Sequence, residues 1–261
     1  MDVVEWPVRA AQHPPPRSER AAATARVVGV LGARGGVGAS VLAAGVAQRL
    51  SRSTATALVS LDRASVGLDL LLGTERVPGG RWPDLAGARG EVPGAEVVDL
   101  LPRWGSCAVL GAAASVPGAG QPDEDVVRDV LRGLGSVLGA MVLDLGRGDV
   151  LAGRAVPCDV VVVVVPRDLA AVAGALALLE RLPDVPVVLV VRGPAPGGMG
   201  VAEVGRALGL PVAATWPEDR RVAASIEHGG LRLAGRAARA VSAVVRALER
   251  PPGRLLGPAA S

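Results

Sequence analysis

The sequence contains no phenylalanine, tyrosine, lysine or asparagine, and Ile226 is its only isoleucine. Its side-chain cations are therefore arginines, histidine aside. The depleted residues share AT-rich codons, which points to a very GC-rich genome. Codon drift of that kind turns lysine into arginine. It does not readily turn lysine into alanine. Without tyrosine and lysine, no reaction built on a Tyr–Lys proton-transfer pair is available. Cysteine is limited to Cys107 and Cys158, far apart and in no CxxC pair, so reduced, buried thiols are expected. His13 and His228 have no companions at ligand spacing, which excludes a histidine-built metal site. The run "VVVVVVP" at 160–166 is too short to span a bilayer. The opening "MDVVEWPVRAAQHPPPRSER" lacks the apolar centre of a signal peptide. These features read as a cytoplasmic protein. The formal net charge of +3 fits a solvated arginine-rich surface better than a nucleic-acid partner.

What the chain does have is apolar residues, half of the total, enough for a sizeable core. Residues 1–24 are rich in proline, arginine and alanine without periodicity, and read as a disordered lead. The tail 250–261 reads the same way. Between them, 25–249 alternates strand and helix patterns. Strands are expected at Arg26–Leu31, Ala57–Leu61, Ala108–Leu110, Ala140–Leu145, Asp159–Val165, Val187–Val191 and Val212–Thr215. Most are unbroken Val/Leu runs, as in parallel strands covered on both faces. Helices are expected at Ser40–Leu50, Asp123–Leu138, Leu169–Arg181, Val201–Leu208, Glu218–His228 and Leu231–Glu249. The order implies an α/β, doubly wound, mostly parallel sheet with helices on both faces. Ligands in such sheets lie beyond the carboxyl ends of the strands. The region 66–120, with Trp82 and Trp104, is the least regular.

The stretch "GVLGARGGVGASVLAAGVA", 29–47, joins the first strand to the first helix through a glycine-rich loop. Glycines there let backbone N–H groups turn toward a phosphate, and the helix N-terminus adds a favourable dipole. Ser40 is placed to ligate Mg²⁺. Three readings are open. One is a tight βα turn with no ligand. A second is a dinucleotide loop, since Gly32, Gly36 and Gly38 fit a GxxxGxG spacing and Asp62 ends the next strand, where a ribose-binding acid would sit. Only a non-catalytic NAD(P)-binding regulator survives on that reading, because the Tyr–Lys pair is missing. The third is a triphosphate loop.

The third is carried by several segments in order. "ARGGVGAS" resembles the deviant Walker A motif KGGxGK[ST] of the MinD/ParA family of P-loop ATPases. "VSLDRASVGLDLLLGTE" resembles that family's switch I segment, "MVLDLGRG" its Walker B and switch II strand, and "WPEDRRVAASIEHGG" its late segment near the nucleotide base. The likeness runs over about 25–249. Within the family, "RWPDLAGARGEV" and "LPRWGSCAVL" resemble the CpaE-like, septum-site-determining branch of high-GC bacteria. The resemblance implies a MinD/ParA-like P-loop fold and a positioning function in pilus, secretion or septum assembly. It implies ATP and Mg²⁺ at Gly35, Gly36, Val37, Gly38, Ala39 and Ser40, with base contacts from Arg192 and Pro217. It assigns the metal to Ser40 and Asp144, and catalytic roles to Asp62, Asp144 and Arg34, the last reaching across a nucleotide-sandwich dimer. It implies a homodimer or a heterodimer with a related ATPase, and often a receiver-like domain ahead of the loop, where this chain has only the short lead.

Two departures bear on activity. Ala39 stands where the family has its phosphate lysine, and Ala64 where it has the water-positioning aspartate. A charge-assisted hydrogen bond contributes about 1.5–3 kcal/mol, so losing it weakens binding about ten- to a hundredfold. Hydrolysis suffers more, because electrostatic stabilisation dominates phosphoryl transfer. A degenerate site with weak or no turnover is expected, with an active ATPase using Arg34 as the alternative. The last helix carries Arg232, Arg236, Arg239, Arg246 and Arg250 against an apolar side of Leu233, Ala237, Val241, Val244, Val245 and Leu248. That pattern fits packing on the sheet, and secondarily a peripheral membrane contact.

Overall fold

The computed structural model describes residues 25–62, 67–112, 123–154, 158–216 and 218–249. Its centre is an eight-stranded sheet with the strand order β3-β4-β2-β5-β1-β6-β7-β8. The strands are β1 (Arg26–Gly32), β2 (Thr56–Ser60), β3 (Arg103–Trp104), β4 (Cys107–Leu110), β5 (Ala140–Asp144), β6 (Val160–Pro166), β7 (Val187–Arg192) and β8 (Val212–Trp216). All neighbours pair in parallel except β3 with β4, an antiparallel edge closed by Arg103↔Ala108 and Trp104↔Cys107. Seven of these strands fall where the sequence pattern places them. The two-residue β3 is too short to leave a periodic signal.

The valine runs explain the layering. Along β6, Val161, Val163 and Val165 enter one core while Val160, Val162 and Val164 enter the other. Successive strand side chains point to opposite faces, so a strand covered on both sides must be apolar throughout. One face is covered by α3 (Gly94–Leu100), α4 (Glu124–Gly135), α5 (Arg147–Leu151), α6 (Leu169–Leu179) and α7 (Val201–Leu208). The other is covered by α1 (Ala39–Leu50), α2 (Leu68–Leu72), α8 (Arg220–Glu227) and α9 (Gly235–Glu249). The short helices α2, α3 and α5 escape sequence reading because they hold fewer than two or three turns.

The apolar stripe of α9 is spent on the core. Ala237, Val241, Val244, Val245 and Leu248 are buried, and the helix packs on α1 and β8. Gly45 of α1 makes the close approach possible, since a Cβ there would lie 2.6 Å from Leu233 Cδ1 and 2.7 Å from Val241 Cγ2. Only the arginine face of α9 remains outward, which leaves no apolar stripe for a membrane surface. Among the described residues no helix is long and apolar enough to cross a membrane.

The irregular region is held by specific polar contacts rather than by periodicity. Asp69 is buried and forms a 2.8 Å ion pair with Arg81. The Arg81 guanidinium also donates to the carbonyls of Gly79, Thr74 and Val77. Burial raises the Asp69 carboxyl above its ordinary range, and Arg81 and Thr74 oppose that rise. The pair thus anchors 74–81 locally. Trp82 is fully buried and donates from Nε1 to the Ser60 carbonyl at 2.7 Å. Cys107 is buried and Cys158 half-buried; burial pushes both thiols up to about 12, which keeps them unreactive.

Candidate functional site

The glycine loop leaves the carboxyl end of β1, which lies between β5 and β6. Ala33 N–H donates to the Val164 carbonyl, so the chain follows β6 for one more step before turning. Val37 folds back into the core at 4% exposure, so only its backbone faces outward. Gly36 and Gly38 have φ of +72° and +81°, the left-handed region where a side chain is strained. Gly38 is the N-cap of α1 and supplies no side-chain acceptor. The first-turn N–H groups of this twelve-residue helix therefore face the loop mouth without a cap, a setting that favours an anion. Nothing lies within 4 Å of the Cβ positions of Gly35 and Gly36, so the outer rim of the loop is open.

Beneath the loop sit Ser40 and Asp144. Asp144 ends β5, opposite Val30 on one side and Ser60 on the other. It is 1% exposed, and among the described residues its Oδ2 has no hydrogen-bond partner. The Ser40 hydroxyl stands close enough to the carboxyl to favour its charged form. Burial raises the carboxyl from its ordinary 3.8 to about 7, and the nearby Asp62 charge adds to the rise against the Ser40 hydroxyl. A buried carboxylate oxygen without a partner costs free energy. Mg²⁺ is commonly held by one or two carboxylates together with phosphate oxygens and water. Ser40 and Asp144 fit such an ion, with phosphate and water completing its shell. Asp62 is half-buried on the same side, with Oδ1 3.2 Å from the Cβ position of Gly146. Among the described residues no group of three or more His, Cys, Asp or Glu could hold a metal, so the protein alone does not build a closed metal cage.

Above the loop is a pocket of ≈ 240 Å³ lined by Arg34, Gly35, Gly36, Val37, Asp168, Arg192 and Glu218, among others. Arg34 lies at its rim. Its Nη2 is 3.0 Å from Oδ2 of Asp168, with side-chain exposures of 56% and 25%. Asp168 is held for this role because it caps α6, Oδ1 accepting from the Ala171 N–H at 2.8 Å. An ion pair this open contributes little. We expect Arg34→Gln to change the unfolding free energy by less than about 1 kcal/mol, read from a urea titration; a loss above about 2 kcal/mol would show the pair to be structural. Arg192 ends β7 and reaches inward to Gly38 and Trp216.

The fold brings Arg34, Gly35, Gly36, Val37, Gly38, Ala39, Ser40, Asp62, Asp144 and Arg192 to one end of the sheet. Pro217 and Ala64 lie outside the described residues. Asp168, Glu218 and Trp216 were not singled out. An aspartate just before an apolar helix is a capping signal that marks Asp168 as ordered, but nothing local shows that it meets Arg34.

The strand order overturns the dinucleotide reading. In a dinucleotide-binding sheet the second strand lies beside the first, which puts its terminal acid on the ribose. Here β5 stands between β1 and β2, so the acid that flanks the loop is Asp144, and Asp62 is one strand further away.

Comparison with known proteins agrees with that geometry. No family model matches the chain. Proteins of two Mycobacterium tuberculosis strains, both described as uncharacterized, are 39% identical to it over 221 residues, covering 83% of this chain and 61% of theirs. The chain therefore spans about three-fifths of the length of the curated relatives it matches. Among solved structures, a ParA family ATPase from Chlorobium tepidum TLS superposes with a TM-score of 0.69 at 17% identity, over 86% of this chain and 99% of that one. The MinD cell division protein of Aquifex aeolicus gives 0.67 at 19%, over 88% and 100%. The septum site-determining protein MinD of Pyrococcus horikoshii OT3, complexed with Mg-ADP, gives 0.65 at 14%, over 87% and 96%. The chain has the P-loop α/β fold of the ParA and MinD ATPases.

Proposed function

We propose that this chain is a nucleotide-switched positioning protein of the MinD/ParA type, which takes Mg²⁺ and ATP at 35–40 and turns ATP over weakly or not at all. The observation that carries the reading is the Ser40–Asp144 pair under an uncapped helix N-terminus, with a buried carboxylate oxygen left without a partner. Ser40 and Asp144 would hold the metal, whose charge would offset that of the nucleotide's phosphates. The chain's own part is to present the loop N–H groups to phosphate, to orient Ser40 through Asp144, and to shield the inner end of the site with buried Leu145 and Gly146. Ala39 leaves the loop without a cation at the phosphate-lysine position, which supports slow turnover. Loss of one electrostatic donor of this kind lowers kcat by about 10²–10³-fold.

The CpaE-like branch and a role in pilus, secretion or septum assembly rest on the sequence resemblance. An Aquifex aeolicus MinD is found in complex with MinC, and by analogy a protein partner is expected here. The exposed Arg34 rim is the face on which a second copy, or a related ATPase, would close. A place at the inner face of the membrane would then come from the partner, since the apolar side of α9 is buried.

The test is calorimetric titration of the full chain with a non-hydrolysable ATP analogue and Mg²⁺. Micromolar binding, weakened at least about tenfold by Ser40→Ala or by removal of Mg²⁺, supports the reading. No binding up to millimolar analogue would make the loop a relic and turn attention to protein contacts alone.

A further inference from the structure

Position 39 of the loop carries no cation and Arg34 is paired with Asp168, yet another cation stands over the loop. Arg192 starts from the end of β7, two strands from β1, a separation of about 10 Å. Its side chain crosses that gap. A Cβ on Gly38 would lie 2.5 Å from Arg192 Nη1, 3.6 Å from its Cζ and 3.4 Å from Trp216 Nε1. The guanidinium therefore rests on the last glycine of the loop, at the mouth of α1, where the uncapped N–H groups converge. Gly38 is required there by its φ of +81°, and the missing side chain leaves room for the guanidinium.

The charge of Arg192 is not cancelled. Arg34, the other arginine of the pocket, is held by Asp168 at 3.0 Å. Among the described residues no carboxylate makes an ion pair with Arg192. Glu218 is the acid whose field reaches it, and Arg34 repels it. Burial is the main cause that lowers its basicity, with Arg34 adding and Glu218 opposing. A half-buried cation facing an open anion-favouring helix end is an arrangement that an incoming phosphate would complete.

We propose that Arg192 is the phosphate-binding cation of this site, taking from across the sheet the role that residue 39 cannot fill, with the charged tail of a nucleoside polyphosphate as its ligand. The inference rests on the nucleotide reading above and changes the role of Arg192 from base contact to phosphate contact. An arginine fork also binds two phosphate oxygens at once, so the geometry of binding would differ from that of a loop lysine.

The experiment compares the wild-type chain with Arg192→Gln, Arg192→Lys and the double variant Ala39→Lys/Arg192→Gln. Each is titrated with the non-hydrolysable ATP analogue plus Mg²⁺, with AMP, and with inorganic tripolyphosphate. We expect Arg192→Gln to weaken the analogue and tripolyphosphate by about ten- to a hundredfold and AMP far less. Arg192→Lys should keep part of the affinity, and Ala39→Lys should restore it in the double variant. Unchanged melting temperatures would show that the variants fold. Equal weakening of AMP and the analogue would make Arg192 a base contact and overturn the proposal, as would no weakening at all. If the wild type binds tripolyphosphate through Arg192 but no nucleotide, the phosphate role stands and the nucleotide reading falls. If it binds neither, both fall.

Discussion

Asp144→Asn should make the ligand-free protein more stable at pH 8, although it alters the most buried acid of the site. The displacement of the Asp144 carboxyl from 3.8 to about 7 means that ionising it in place costs roughly 4 kcal/mol more than ionising it in the unfolded chain. The sign follows from proton counting. Between about pH 4 and 7 the folded chain holds a proton that the unfolded chain has released, so stability falls as pH rises through that window. Below pH 4 both states are protonated and the cost is absent. Above pH 7 both are ionised and the cost is complete. The amide carries no charge and removes the cost, while its own unmet donors take back part of the gain. We expect Asp144→Asn to gain about 1–3 kcal/mol at pH 8, to gain nothing near pH 4, and to flatten the pH dependence in between. Urea unfolding at several pH values measures this directly. If Mg²⁺ and nucleotide bind as proposed, the same variant should lose the stabilisation they would give the wild type, because the cost is what a bound cation relieves. A variant less stable than wild type at pH 8, with the pH slope unchanged, would mean that Asp144 is a satisfied structural acid.

The second large effect is expected at Trp82. Trp82 opens a 3₁₀ turn at Trp82–Leu85 and is completely buried against the sheet. Truncating an aromatic side chain of that burial costs about 3–5 kcal/mol, since the surrounding helices cannot collapse fully onto the space. Trp82→Ala also removes the 2.7 Å donor to the Ser60 carbonyl, two residues before Asp62. Trp82→Phe separates the two terms: it keeps most of the volume and should cost about 1–2 kcal/mol. Chemical denaturation of both variants checks the split. A loss below about 1 kcal/mol for Trp82→Ala would show that this region is not part of the main cooperative unit. The region matters for function because the turn after β2 carries Asp62 toward the site, and a loosened Ser60 would let that carboxylate drift.

The sequence by itself determined the seven main strands, because a strand covered on both faces must be written as an unbroken apolar run. β6 is the plainest case, six valines in succession. The loop was legible for a similar local reason: Gly36 and Gly38 take positive φ, and the chain must spell that with glycine. Helix α7 was legible to the residue, since Val204 and Leu208 recur on one side and Gly209 ends it in the left-handed conformation. The burial of the α9 stripe was expected from pattern, but its receptor, the notch at Gly45, was not.

Only the tertiary structure decided what surrounds the loop. That β5 stands between β1 and β2 is a matter of strand pairing, and pairing partners are remote in sequence and carry no local mark. It put Asp144, rather than Asp62, beside the loop and removed the dinucleotide reading. Local pattern also cannot say where a long side chain ends. Arg34 and Arg192 are both arginines near strand or loop ends, yet one is paired with Asp168 and the other, among the described residues, has no carboxylate partner where it lies over Gly38. The physical reason is the same in each case. Periodicity and backbone conformation are properties of neighbouring residues, whereas charge balance and burial depend on every element that arrives at the same place in the fold.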